Sequence, residues 1–304
     1  MKRAATIGLA IGATAVVALG LGVAIWASTR PPSAVGIVQD YFAALEAGDA
    51  DRAVASTAIQ QQAADEAVAA YGGASDRVTD ARVTSSSEQS DSARVDATYS
   101  LAGDPHEVSL RLTHDEANGW RITDAVAVVT ASATVGGDVG IGDAVVPAGG
   151  DVALLPGRYE FAALPPGLVS GTTTVDAEPG VDQSVTVAAS LTAEATAAAQ
   201  TQLDAYADEC TEPATAVPEH CGIRVPWAAD LATLTAVEFR IDERPTVELD
   251  GDAKTFAATG GVLVATVTGT TRAGATASFT YRADDWALRG TVSFGGGEMV
   301  LAVG

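Results

Sequence analysis

Residues 95–112 read VDATYSLAGDPHEVSLRL, with apolar side chains at every second position on either side of Gly103-Asp104-Pro105. A period of two is typical of strands that bury one face, and a glycine followed closely by a proline is typical of a turn. The segment therefore predicts two antiparallel strands that are neighbours in one sheet. Asn118-Gly119 is a strong hairpin signal, and apolar residues alternate again over 120–128. The sequence thus predicts about four antiparallel strands in this region.

Three helices are predicted on the N-terminal side of these strands. The first has apolar residues at the i, i+3, i+4 and i+7 spacing of a helix, namely Val38, Tyr41, Phe42 and Leu45. Ser33 is its predicted N-cap, Gly48 its predicted end, and Asp49 the cap of a second helix through Ala58. The third helix is predicted over 59–71. Helices followed by antiparallel strands predict an α+β fold with a curved sheet around the first helix.

Two segments of this region resemble a known family. Residues 38–53 read VQDYFAALEAGDADRA, and residues 119–125 read GWRITDA. Both are similar to segments of the nuclear transport factor two-like, or cystatin-like, superfamily. The likeness covers residues 33–130 and is closest to membrane-anchored actinobacterial envelope proteins of unknown function. It implies a cone-shaped, cystatin-like α+β domain over 34–130 but no particular activity, because the superfamily includes isomerases, dehydratases, ligand binders and assembly modules.

The cone of this superfamily can hold a small molecule, so the resemblance implies candidate ligand-binding side chains: Tyr41, Tyr71, Tyr99 and Trp120. The alternative is that these four side chains fill the cone as an ordinary core, which is the more frequent role of aromatic residues. No catalytic residue is predicted among them.

Residues 131–191 form a second predicted domain, because short apolar runs alternate there with glycine turns. Leu155-Pro156-Gly157-Arg158-Tyr159 resembles a signature of PEGA domains, which implies a small β-sandwich module that serves as a spacer or adhesive unit. The remaining residues, 192–304, start with an alanine-rich helix over 191–209 and continue with apolar strands. This plan predicts a second helix-plus-antiparallel-sheet domain, possibly also cystatin-like.

Cys210 and Cys221 are the two cysteines of the chain. The short, proline-containing segment between them predicts a disulfide, which is typical of proteins in an oxidising compartment. A zinc site that also uses His220 is the alternative, but the spacing fits no tetrahedral ligand pattern. The sequence therefore predicts no metal site and no cofactor.

Residues 4–29 form an uncharged run that follows Lys2 and Arg3. A run of this length can cross a bilayer as a helix, and the preceding charges favour a cytoplasmic N-terminus. The alternative is a cleaved signal peptide, whose apolar core is shorter. The predicted division is a cytoplasmic N-terminus over 1–3, a transmembrane signal anchor over 4–29, a linker over 30–33, and domains over 34–130, 131–191 and 192–304.

The net charge of −22 excludes nucleic acid as an expected partner, because phosphate backbones would repel the chain. No nucleophile or phosphate-binding motif is complete, so the chain is not expected to be an enzyme. We expect a single-pass membrane-anchored, extracytoplasmic binding or scaffolding module of the bacterial cell envelope. Its expected partners are the lipid bilayer through residues 4–29 and an unknown envelope protein or small ligand. The alternative is a small apolar-ligand or lipid binder that uses the cone of the first α+β domain.

Overall fold

The computed structural model describes residues 33–304 except Gly296. Strands form 53% and helices 19% of the structure, so the predicted α+β class is wrong and the protein is predominantly β. Several sheet strands are much longer than their sequence patterns indicated. The predicted transmembrane helix over 4–29 lies outside the described residues. Among the residues that are described, no helix is long and apolar enough to cross a bilayer.

The structure contains the following elements in chain order. The helices are α1 (Ala34–Ala47), α2 (Ala50–Val54), α3 (Gln61–Tyr71) and α4 (Ala193–Cys210). The first strands are β1 (Ala74–Arg77), β2 (Thr79–Glu88), β3 (Ser92–Leu101), β4 (Asp104–Asp115), β5 (Gly119–Ile122), β6 (Ala127–Ala133), β7 (Val139–Ile141), β8 (Ala144–Val146) and β9 (Gly150–Leu154). The later strands are β10 (Gly157–Ala163), β11 (Val169–Ser170), β12 (Thr172–Ala177), β13 (Asp182–Val187), β14 (Ser190–Leu191), β15 (Leu231–Glu243), β16 (Thr246–Leu249), β17 (Thr255–Thr271), β18 (Thr276–Gly295) and β19 (Glu298–Val303).

The described chain divides into two compact units. The first contains residues 33–61 and Arg77–Ala125, and the second contains Gln62–Asp76 and Val126–Gly304. Helix α3 therefore groups with the second unit from Gln62 onward.

The first unit is a four-stranded antiparallel sheet in the order β2-β3-β4-β5, with α1 packed against it. The predicted helix stripe is confirmed, because Val38, Tyr41, Phe42 and Leu45 are all buried. The predicted caps are confirmed as well: the Ser33 hydroxyl accepts a hydrogen bond from the Gly36 amide, and Gly48 adopts a left-handed conformation. Helix α2 ends at Val54, four residues before the predicted end at Ala58.

The hairpin of β3 and β4 is confirmed, although its turn differs from the predicted one. Leu101 pairs with Asp104, so the two turn residues are Ala102 and Gly103, which both have positive φ angles. A two-residue turn of this kind matches the twist of the strands that it joins. Pro105 lies inside β4, where it faces Ser100 across the sheet. The proline is tolerated there because β5 pairs with β4 only from Leu112 onward.

The second unit also contains β6, which was predicted as the last strand of the first sheet. Instead, β6 lies between β9 and β13, and it pairs with β13 in parallel. Strand β10 starts directly after Pro156 and pairs with β1, β7 and β12. Across β10 and β12, Arg158 and Asp176 form a bidentate ion pair with distances of 2.6 and 2.8 Å.

The last part of the second unit is a five-stranded antiparallel sheet packed against α4. The order is β15-β17-β18-β19, and β16 also pairs with β17. The predicted helix over 191–209 is confirmed as α4, whose N-cap is Thr192. Its buried side chains recur every four residues, at Ala195, Ala199, Leu203 and Ala207. Three of these four are alanines, and such small side chains let a helix approach a sheet closely.

Two glutamines of α4 bind the two margins of this sheet. The Gln200 side chain donates to the carbonyl of Pro245, which precedes β16, and accepts from the amide of Val247 within β16. The Gln202 side chain donates to the Met299 carbonyl and accepts from the Leu301 amide of β19, at 2.7 and 3.1 Å. These bonds satisfy backbone groups that an edge strand would otherwise present to another chain. They also fix the position of α4 over the sheet.

The predicted disulfide is present and joins the end of α4 to the loop that follows it. Cys210 and Cys221 have Cα atoms 5.7 Å apart and are both buried. The carbonyl oxygen of Cys221 accepts a hydrogen bond from Trp286 Nε1 at 2.8 Å. The disulfide and this bond together tie residues 210–221 to β18.

Candidate functional site

The four predicted aromatic residues occupy different places. Tyr41, Tyr99 and Trp120 lie in the first unit, whereas Tyr71 ends α3 and belongs to the second. Tyr41 and Tyr99 each contact the ring of Phe42, with centroid distances of 5.4 and 5.7 Å. All four predicted side chains are at most 7% exposed. A ligand that touched them would have to displace core side chains.

Two of these residues also make specific contacts within the first unit. The Tyr41 hydroxyl donates a 2.5 Å hydrogen bond to the carbonyl oxygen of Ala125. The Trp120 indole packs edge-on against the His114 ring at a centroid distance of 5.0 Å. Tyr41 thus contacts the last residue of the first unit, and Trp120 contacts a residue of the neighbouring strand β4.

A surface groove of the first unit lies along strands β2, β3 and β4 of its sheet. Its volume is about 480 Å³, and we call it the arginine groove. It is lined by Ser87, Gln89, Ser92, Ala93, Arg94, Arg111, Leu112, Thr113 and Thr123. Hydroxyl, amide and guanidinium groups dominate this lining, and the charged residues in it are the two arginines.

The alternation of β3 and β4 turns both arginines outward. Ala93 and Val95 are buried on either side of Arg94, and Leu110 and Leu112 are buried on either side of Arg111. Arg94 and Arg111 are direct partners in the register of the two strands. Like charges in directly opposite positions are unfavourable in an antiparallel pair, unless an opposite charge lies nearby. The positions opposite each other on β3 and β4 therefore both carry a positive charge.

The counter-charges around the two arginines are unequal. Arg111 Nε donates to Asp124 Oδ2 at 2.9 Å, and the Arg111 amide donates to the other oxygen of the same carboxylate. Arg94, in contrast, donates from Nη1 to the neutral Ser109 hydroxyl at 3.1 Å. The Arg94 guanidinium group, which is bonded to a neutral hydroxyl, therefore gains a charged partner when an anion binds. Asp124 keeps the Arg111 side chain oriented.

Asp96 lies two residues beyond Arg94 on the same face of β3. The hydrogen bond from Ser85, and after it one from Ser109, lowers the pKa of the Asp96 carboxyl, and the positive charge of Arg94 acts in the same direction. Asp96 is therefore ionised at neutral pH. Its carboxylate is engaged by hydroxyl groups on both sides, at 2.5 Å from Ser85 Oγ. The Asp96 carboxylate, which is the negative charge closest to Arg94 along β3, is thus held in place at one side of the arginine groove.

Sequence reasoning did not identify Arg94 or Arg111 as site residues. An arginine at an outward position of a strand is common, and the sequence pattern alone gives it no partner. The signal that could have found them is the hairpin register: a two-residue turn at Ala102-Gly103 places residue 94 opposite residue 111. The predicted turn at Gly103-Asp104-Pro105 gives a different register.

Within 33–304, Gly296 aside, no three histidine, cysteine or acidic side chains come together in an arrangement that could hold a metal ion. His220, the residue of the alternative zinc interpretation, accepts a hydrogen bond from Tyr206 through its backbone carbonyl, while both cysteines are joined in the disulfide. The arginine groove offers hydrogen bonding and charge attraction through its hydroxyl, amide and guanidinium groups.

No family model matches this sequence, and comparisons with curated proteins and with solved structures give no match either. The resemblances to the nuclear transport factor two-like superfamily and to PEGA domains thus stay predictions from short motifs.

Proposed function

We propose that this protein is a non-enzymatic binding or scaffolding module of the bacterial cell envelope, and that the arginine groove binds a carboxylate or phosphate group of its partner. The observation that carries this proposal is the pair Arg94 and Arg111, opposite each other in one groove of a chain with a net charge of −22. A guanidinium group presents several N–H donors in a plane that matches the oxygens of such anions.

The neutral part of the lining indicates what else the partner carries. Hydroxyl groups of Ser87, Ser92, Thr113 and Thr123 surround the arginines. Hydroxyl groups both donate and accept hydrogen bonds, so they suit a ligand that is itself rich in hydroxyl groups. An acidic sugar unit combines both features, and a groove of about 480 Å³ has the size of ordinary small-ligand sites.

The first test measures binding of glucuronate to the full-length protein by following the arginine Nε signals in NMR titrations. We expect the Arg94 and Arg111 signals to shift with glucuronate and not with glucose, which lacks the carboxylate. Because a charge-assisted hydrogen bond contributes about 1.5–3 kcal/mol, Arg94→Gln should weaken binding roughly tenfold or more. Inorganic phosphate serves as a second probe and distinguishes a phosphate partner from a carboxylate partner.

The matched control is Arg82→Gln, which removes the same charge from the neighbouring strand β2 outside the groove lining. This variant should bind glucuronate as the unmodified protein does. If Arg82→Gln weakens binding as much as Arg94→Gln, the interaction is a general charge effect and the proposed site is wrong. Equal shifts with glucose and glucuronate would exclude the role of the arginines.

We further propose that the described part of the chain is extracytoplasmic. The disulfide between Cys210 and Cys221 supports this location, since reducing compartments keep most thiols free. The role of residues 4–29 as a membrane anchor rests on the sequence. The alternative function, a small apolar-ligand or lipid binder, would use Tyr41, Tyr71, Tyr99 and Trp120, which are packed as described above.

This location predicts the outcome of a protease experiment. An epitope tag joined after Gly304 through a protease site should be lost when the protease is added to intact, wall-stripped cells. If the protein is cytoplasmic, the tag should remain attached to residues 1–304 in intact cells. Cleavage that occurs only after the cells are lysed would therefore contradict the extracytoplasmic location. Cell fractionation on the same samples reports whether the chain sediments with membranes, as an anchor over 4–29 predicts.

A further inference from the structure

A second polar pocket lies in the second unit, beside the disulfide, and we call it the disulfide-loop pocket. Its volume is about 350 Å³. It is lined by Gly222, Ile223, Arg224, Leu263, Ala283, Asp285, Trp286, Ala287 and Arg289. One wall is thus the chain that follows Cys221, and the other is the middle of β18.

The first wall is held firmly in place. Cys221 is fixed by its disulfide to α4, and its carbonyl oxygen accepts the hydrogen bond from the buried Trp286 indole. Gly222 then follows with a φ angle of +63°, which favours glycine. A Cβ atom at this position would lie 2.2 Å from the carbonyl oxygen of Ala287, so the loop approaches β18 as closely as a glycine allows. Arg224 therefore starts from a well-positioned backbone.

The arginines of this pocket differ from most arginines of the protein. Arg224 and Arg289 have no ion pair or side-chain hydrogen bond among the residues that the structure describes, and the same is true of Arg82 in the first unit. Other arginines are engaged by carboxylates, as in the chain of contacts from Arg240 through Asp242 to Arg282, or by carbonyl oxygens, as Arg272 is. Two unengaged guanidinium groups in one pocket are unusual in a chain with 39 acidic residues.

Asp285 is the third charged residue of the lining, and within the described chain it also has no side-chain partner. It lies on β18 four residues before Arg289, and both residues line the disulfide-loop pocket. The charged lining consequently carries a net charge of +1, with two groups that only donate hydrogen bonds and one that only accepts them. A ligand that satisfies all three needs an anionic acceptor and a hydrogen-bond donor.

We propose that the disulfide-loop pocket binds a small ligand that carries a carboxylate next to an ammonium group, as a free amino acid or the terminus of a small peptide does. The carboxylate accepts hydrogen bonds from Arg224 and Arg289, and the ammonium group donates to Asp285. Charge-assisted bonds of this kind are the strong ones, and planar guanidinium groups fit the two oxygens of a carboxylate. This site is separate from the arginine groove and does not depend on it.

The test uses L-alanine as the probe and the full-length protein, with the arginine Nε signals again followed by NMR. Acetate supplies the carboxylate alone, and ethylamine supplies the ammonium group alone. We expect L-alanine to shift the Arg224 and Arg289 signals and to bind at least fivefold more tightly than acetate, and ethylamine to leave both signals unchanged. Arg224→Gln and Arg289→Gln should each weaken binding of L-alanine roughly tenfold.

Asp285→Asn separates the two halves of the proposal. It should weaken binding of L-alanine several-fold and leave binding of acetate unchanged or slightly tighter, because it removes the ammonium partner and a repelling charge. Arg82→Gln, the variant of the third unengaged arginine, should change neither. Unfolding midpoints of all variants check that the fold is intact.

Three results would overturn the proposal. One is the absence of any shift at Arg224 and Arg289 with L-alanine, and another is equal affinity for acetate and L-alanine. The third is phosphate binding more tightly than L-alanine in the same pocket, which would identify an anion site that has no role for Asp285. Variants at Arg94 and Arg111 should leave this pocket unaffected, so failure here and failure of the proposed function can be told apart.

Discussion

Replacing Trp286 by alanine should lower the free energy of unfolding of the second unit by about 3–5 kcal/mol, the usual cost of truncating a large buried aromatic side chain. Trp286 is 2% exposed and lies in the core between α4 and the last sheet, where it is grouped with Leu203 and Phe256. Its truncation would leave a large cavity under the helix. The measurement is urea denaturation followed by far-UV circular dichroism.

Trp286→Phe isolates the hydrogen bond from the packing. Phenylalanine keeps most of the buried ring, but it leaves the carbonyl oxygen of Cys221 without its donor, and an unsatisfied buried acceptor costs about 1–3 kcal/mol. Trp227→Ala is the matched control, because Trp227 is only partly buried beside a smaller cluster. Its cost should be clearly lower than that of Trp286→Ala. Equal costs for the two alanine variants would contradict the central position of Trp286.

The parts of the fold that were predictable are those that depend on neighbouring residues. The stripe of α1, its caps at Ser33 and Gly48, and the hairpin of β3 and β4 all follow from spacings within about 20 residues. Helix α4 followed from its composition in the same way. Local patterns of this kind predict an element and its buried face, since the period of the apolar residues is a property of the element itself.

The fold class was wrong because long-range pairing determines how far a strand continues. Strand β17 runs from Thr255 to Thr271 and β18 from Thr276 to Gly295, although the sequence predicted strands only over 262–268, 277–281 and 286–294. Register shifts around Gly261 break the alternation while the ladder continues. Strand β2 was missed for a related reason: its residues are almost all polar and exposed, and it is held as an edge strand by pairing with β3.

Strand β6 is a second case in which long-range pairing could not be predicted from the sequence. The alternation of Val126 and Val128 predicted a strand here, but it could not show which sheet the strand joins, and the structure buries Val129 and exposes Val128. The structure pairs Val128 with Asp182 in parallel, and these residues are more than 50 positions apart in the sequence. An antiparallel neighbour can be inferred from a short turn, whereas a parallel neighbour at this distance leaves no local signal.

Both proposed binding sites depend on such pairings, and for this reason the sequence did not reveal them. Arg94 lies opposite Arg111 through the register of a hairpin. Arg224 and Arg289 line the same pocket because the chain after Cys221 lies along β18. The aromatic residues were more noticeable in the sequence, yet their size and apolar character place them in cores. In a strongly acidic chain, an arginine that the structure leaves without a carboxylate is the more informative feature.

Removing the disulfide should lower the free energy of unfolding by about 2–3 kcal/mol, because it releases a closed loop in the unfolded chain. The bond links residues that are 11 positions apart, and it secures the end of α4 to Cys221. Urea denaturation of the Cys210→Ser, Cys221→Ser double variant measures this change, with the unmodified protein in dithiothreitol as a second approach. The double variant itself should not respond to dithiothreitol. An unchanged midpoint in the reduced protein, with both free thiols verified by mass spectrometry, would show that Trp286 and the core of α4 hold this loop without the covalent bond.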